Sequence, residues 1–98
     1  MSNVLPLVAA LKALEAHGSM PEPLPHSDEY GDYESVHPLV DECHAFAIAC
    51  LITKDGQVDT DAMRDLQTHG YRVFCAERDS FGWLRGGITT AVGNIYFG

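Results

Sequence analysis

The stretch Pro38-Leu-Val-Asp-Glu-Cys-His-Ala-Phe-Ala-Ile-Ala-Cys-Leu-Ile52 decides how this chain folds, because its second half is apolar almost throughout and is open to two readings. Pro38 suits the first position of a helix, where its missing N–H costs nothing. Leu39, Val40, Cys43, Phe46, Ala47, Cys50 and Leu51 then fall on one broad helical face, and Asp41 and Glu42 sit in the first turns, where the helix dipole favours anions. The rival is a strand over Ala45–Thr53. Its first six residues include Ala45, Ala47, Ala49 and Cys50, which favour helix over strand. The spacing therefore predicts a helix over 38–52, central to the core.

Working outward, Val4, Leu7, Val8, Leu11 and Leu14 form a single helical stripe, which predicts a first helix over 4–17. Ser2 or Asn3 serves as its cap, Pro6 is tolerated in the first turn, and Gly18 stops it. Beyond the central helix, Lys54-Asp-Gly-Gln57 reads as a turn. Val58-Asp59 reads as a staple and cap for a short helix over 60–69 that turns Ala62, Met63 and Leu66 inward. From Tyr71 onward the chain alternates like sheet, with glycine-bearing joins at Asp79-Ser-Phe-Gly82 and Val92-Gly-Asn94. Gly86-Gly87 inside the middle strand signals a bulge or a close approach by a helix. The expected fold class is α+β, three helices packed on a three-stranded antiparallel sheet at the C-terminus.

With 98 residues, 46% of them hydrophobic and 20% charged, the chain is the size and composition of one globular domain spanning 1–98. No apolar run is long enough to cross a bilayer, and the start lacks the basic region of a secretory signal, which places the protein in the cytosol. The net charge of −8 is unevenly spread. Residues 1–49 hold eight carboxylates against Lys12 alone, a net of −7, whereas residues 50–98 hold six carboxylates against five basic residues, a net of −1. Direct nucleic-acid binding needs a cationic face, and an anionic membrane needs the same, so both are disfavoured as partners.

The most unusual segment is 19–37, which has three prolines, no apolar periodicity and no lysine or arginine. It reads as a long loop, and loops of that length in small domains are usually functional or mobile. Its centre, Asp28-Glu29-Tyr30-Gly31-Asp32-Tyr33-Glu34, interleaves four carboxylates with two tyrosines. A charge run of this kind commonly does no more than solvate a loop. The tyrosines favour a second reading, because they supply contact area at low entropic cost while the carboxylates match a row of Lys and Arg on a basic protein. Asp28, Glu29, Tyr30, Asp32, Tyr33 and Glu34 are the candidate partner-binding residues.

Residues with other chemistry point to structure. Cys43, Cys50 and Cys75 show no pairing motif and read as small buried hydrophobes in a reducing compartment. His37 with His44, and Cys43 with Cys50, are seven apart, about 10.5 Å along a helix, too far to grip one ion, so no metal or other cofactor is expected. Nucleophilic catalysis would require Cys75, Cys50 or a serine beside an oriented histidine. Alternation instead puts Cys75 with Tyr71 and Val73 in the core, and no glycine pattern matches a phosphate-cradling loop. Ser80-Phe-Gly-Trp83 can be read as an aromatic tip offered to a partner, but in so small a domain we expect Trp83, the only tryptophan, to cover the core.

Asp61-Ala-Met-Arg-Asp-Leu66, Gly70-Tyr-Arg-Val73, Glu77-Arg-Asp-Ser-Phe-Gly-Trp-Leu84 and the closing Ile95-Tyr-Phe-Gly98 resemble small uncharacterised accessory proteins of phages, prophages and plasmids, over residues 55–98. The resemblance implies a mobile-element accessory role and brings no catalytic motif. The expected function is that of a non-catalytic acidic protein-binding factor, a phage-type inhibitor or modulator of a basic nucleic-acid-binding host protein such as a defence complex. The alternatives are a domain that self-associates through the edge strand Asn94–Phe97, and a small enzyme using Cys75 or a histidine.

Overall fold

A computed structural model describes residues 3–97, so the expected Ser2 cap lies outside the described residues. They form an α+β fold with three helices and two antiparallel sheets: α1 Leu5–Ala16, β1 Leu24–Asp28, β2 Gly31–Ser35, α2 Pro38–Leu51, α3 Thr60–Thr68, β3 Arg72–Arg78, β4 Leu84–Thr90 and β5 Gly93–Tyr96. The decisive stretch is helix α2, with Cys43, Ala47 and Leu51 buried. Its N-cap is His37, whose Nδ1 accepts the Leu39 N–H at 3.1 Å. Helix α3 starts as its sequence predicts, with the Asp59 carboxylate accepting the Ala62 N–H at 3.1 Å.

One sheet is the meander β3-β4-β5; the other is the hairpin β1-β2. The helices do not all lie on the three-stranded sheet, which corrects the expected layering. Helix α1 lies chiefly on α2, α3 lies on β3, and α2 touches both α3 and β5. Leu7, Leu11 and Leu14 of α1, Leu51 of α2, Leu66 of α3 and Ile88 of β4 are fully buried between them. Each large aliphatic side chain buried in this way stabilises by about 1.5 to 3 kcal/mol. Glu15 ties the layers together, accepting hydrogen bonds from the Tyr71 hydroxyl and from the Ala91 N–H at 2.8 Å. Burial first, then the Glu15 carboxylate, pushes the Tyr71 hydroxyl up to about 12.

The glycine pair does mark a bulge, but the extra residue lies on the facing strand. Phe74 pairs with Gly87 and Glu77 with Arg85, so Cys75 and Ala76 together oppose Gly86. A Cβ at Gly86, where φ is +119°, would collide with the carbonyls of Phe74 and Cys75. The bulge shifts the alternation by one residue and turns Cys75, at φ 52°, out to solvent. Cys75 is therefore exposed, Cys50 half-buried and Cys43 buried, which corrects the expectation that all three are core. No helix among the described residues is long and apolar enough to cross a membrane.

Candidate protein-binding surface

Residues 24–35 form a regular two-stranded ribbon in place of the expected loop. Leu24 pairs with Ser35, Pro25 with Glu34, His26 with Tyr33, Ser27 with Asp32 and Asp28 with Gly31. Pairing reverses the chain at Glu29-Tyr30, and the Asp28 carboxylate accepts the Tyr30 N–H at 2.8 Å to close the turn. Gly31 follows at φ +117°, a conformation that suits glycine. None of the ten strand residues is buried, and Tyr30 at the apex is 89% exposed. At the base, Pro21 is buried, Met20 packs on the core, and the rings of His17 and His37 meet at 5.8 Å. The ribbon thus stands off the body. Accordingly, the radius of gyration is 14.3 Å, against about 12.6 Å for a compact chain of this length.

Strand geometry sorts the six candidate residues. Cross-strand partners share a face, so Asp32 and Glu34 project with Ser27 and Pro25 on one side, while Tyr33 and His26 project together on the other, their rings 4.9 Å apart. Glu29 and Tyr30 form the apex. Asp28 is occupied in holding the turn. The ribbon therefore offers an acidic face, an aromatic face and a tyrosine tip, with no cation in residues 19–37 to offset the charge.

A second exposed surface is the loop between β3 and β4. Trp83 is 72% exposed and Phe81 84% exposed, so Trp83 does not cover the core as expected; Leu84, its neighbour, takes the buried position. The loop carrying them, residues 79–83, is held by its own polar groups. The Asp79 carboxylate accepts the N–H groups of Phe81 at 2.9 Å and Trp83 at 3.0 Å, and also Arg85 Nε at 3.1 Å. Partial burial raises the Asp79 carboxyl, and the Trp83 amide, Arg85 and the Phe81 amide outweigh it and hold the group below the usual carboxylate value. From the far side, Arg78 donates from Nε and Nη2 to the Gly82 carbonyl at 3.0 and 2.7 Å, and from Nη1 to the Gly56 carbonyl. The sequence signal for this loop was Asp79 placed to cap two following amides, with Gly82 completing the turn.

Burial pushes the thiols of Cys43 and Cys50 up to about 11, so at neutral pH both are thiols and weak nucleophiles. Among the described residues, no three His, Cys, Asp or Glu side chains gather in a way that could hold a metal ion. Comparison with protein-family models, curated proteins and solved structures finds no match to this chain.

Proposed function

We propose that this protein is a non-catalytic binding factor that docks its acidic hairpin on the basic face of a partner protein, a face of the kind that otherwise contacts nucleic-acid phosphates. The observation that supports this reading is the ribbon itself: residues 19–37 hold five carboxylates and no lysine or arginine, and Asp28, Asp32 and Glu34 lie on strands with no buried residue, with Glu29 in the turn between them. A two-stranded ribbon with no core is marginal in water, so its contribution to folding is small. Asp32 and Glu34 on one face meet a row of Lys or Arg, Tyr30 and Tyr33 supply anchoring area, and the protein acts by occupying the site. In this reading it is an inhibitor or modulator, in keeping with the mobile-element resemblance of residues 55–98.

The test is affinity capture with two baits, the wild-type chain and a variant carrying Asp28→Asn, Glu29→Gln, Asp32→Asn and Glu34→Gln. Asn at position 28 keeps an oxygen for the turn. The wild-type bait should retain a basic nucleic-acid-binding protein that the neutralised bait loses, and the bound complex should no longer take up nucleic acid. Equal capture by both baits, or a captured protein that binds nucleic acid as well as before, would contradict the reading.

A further inference from the structure

The hairpin keeps one edge open. Only Glu29 and Tyr30 separate Asp28 from Gly31, so the flanking pair is hydrogen-bonded, and alternation along an antiparallel ladder makes His26 with Tyr33 and Leu24 with Ser35 the next such pairs. The main-chain groups of the residues between them, Pro25 and Ser27 on β1 and Asp32 and Glu34 on β2, therefore point away from the ladder. On β1 this edge lacks a donor, because Pro25 has no N–H, and Pro23 stands just before the strand. On β2 no proline intervenes. Asp32 and Glu34 are exposed, and among the described residues no backbone hydrogen bond from outside the ribbon reaches either of them.

We propose that β2 is the edge onto which the partner lays an extended segment of alternating basic and β-branched residues, as a third strand. This rests on the docking role of the hairpin and adds to it the conformation and the residue pattern of what is bound. A strand added to β2 sets its side chains beside those of β2 on the same two faces. Alternate residues then lie beside Asp32 and Glu34, where Lys or Arg matches the carboxylates, and the residue between them lies beside Tyr33, where a β-branched side chain packs on the ring. Charge also excludes a second copy of this chain as the occupant. Pairing β2 with β2 would set Asp32 and Glu34 against their own counterparts, with no lysine or arginine in residues 19–37 to separate them. The carboxylates that refuse a like strand admit a basic one. Two strands without a core are marginal in water and a third supports them, so binding also orders the ribbon.

The experiment is titration of the full chain, at low salt, with a blocked synthetic peptide of alternating lysine and threonine, the water-exchange rate of each amide being read by NMR. The amides of Asp32 and Glu34 should exchange at least about tenfold more slowly at saturation, because the added strand takes up their N–H groups. A pair of variants separates that backbone pairing from charge. Glu34→Gln removes the carboxylate alone, whereas Glu34→Pro also removes the outward N–H, at a position where the facing Pro25 already shows that the ladder does not need one. Glu34→Pro should therefore bind the peptide about fivefold more weakly than Glu34→Gln. Binding that leaves the Asp32 and Glu34 amides unprotected would overturn the added strand while leaving the hairpin's docking role intact, since carboxylates and tyrosines alone would then hold the peptide. Equal affinity of the two Glu34 variants, or no binding of the peptide by the wild type, would likewise overturn it. Unchanged binding by the fourfold neutralised hairpin would contradict both the added strand and the docking role.

Discussion

The turn at Glu29-Tyr30 and the loop at 79–83 both join antiparallel strands and both expose aromatic rings, yet they are built in opposite ways. The first rests on a backbone ladder and one carboxylate, Asp28, with no buried residue in either strand. The second rests on Asp79 and Arg78, whose side chains bind its amides and carbonyls from both sides, and on Leu84 buried beneath it. Exposure alone does not distinguish such regions. What distinguishes them is how much of the remaining structure fixes their shape: the hairpin has its own ladder and one carboxylate, while the loop's backbone is braced by side chains from both sides.

Glycine substitutions should break this contrast most sharply. Gly86→Ala forces a Cβ into two carbonyls at the bulge that feeds loop 79–83, and should cost about 3 kcal/mol of global stability by chemical denaturation. Gly31→Ala also meets positive φ but has nothing within 4 Å, so it should cost about 1 kcal/mol, confined to the hairpin. Faster amide exchange in 24–35 with an unmoved global midpoint would register that local loss.

Tyr71→Phe tests how firmly the body is held independently of either turn. Losing the hydroxyl's bond to Glu15 should cost about 1 to 2 kcal/mol. The folded Tyr71 titrates higher than the unfolded one, so its contribution is complete below about pH 10 and is lost as pH rises toward about 12. The wild type should therefore lose its advantage over Tyr71→Phe across that window.

The smallest effect concerns Asp79. Its carboxyl is depressed in the folded state, so the stability it contributes is present above the ordinary carboxylate value and is lost as pH falls below about 4. Amide exchange at Phe81 and Trp83, corrected for its intrinsic pH dependence, should accelerate in that range; it should accelerate likewise in Asp79→Ala at neutral pH, while 24–35 stays unchanged in that variant.

These contrasts also mark how far the sequence could be read. The helices were legible because each buries one face, and burial writes its period into the residues, as at Leu7, Leu11 and Leu14 or at Ala62 and Leu66. Strands β1 and β2 bury neither face, so Leu24-Pro-His-Ser-Asp28 and Gly31-Asp-Tyr-Glu-Ser35 carry no alternation, and only Gly31 hinted at a turn. Cys75 was misplaced because the bulge resets the phase after Phe74, and the glycines that permit it lie on the opposite strand. Trp83 was misplaced by the general tendency of large rings to be buried. The carboxylate that binds its backbone amide lies four residues earlier, at Asp79. The six candidate residues were found as a composition; their division into two faces and an apex came only with the register.

The central claim is that the hairpin is a charged docking arm and not part of the fold's support. The most direct measurement is the association rate of the chain with its captured basic partner as ionic strength is raised, for the wild type and the fourfold neutralised variant. The wild-type rate should fall steeply with salt, and at low salt the variant should associate at least about tenfold more slowly, with folding stability within about 0.5 kcal/mol of wild type. Wild-type association rates in the neutralised protein at low salt would contradict the account and leave the hairpin as a solvated ribbon.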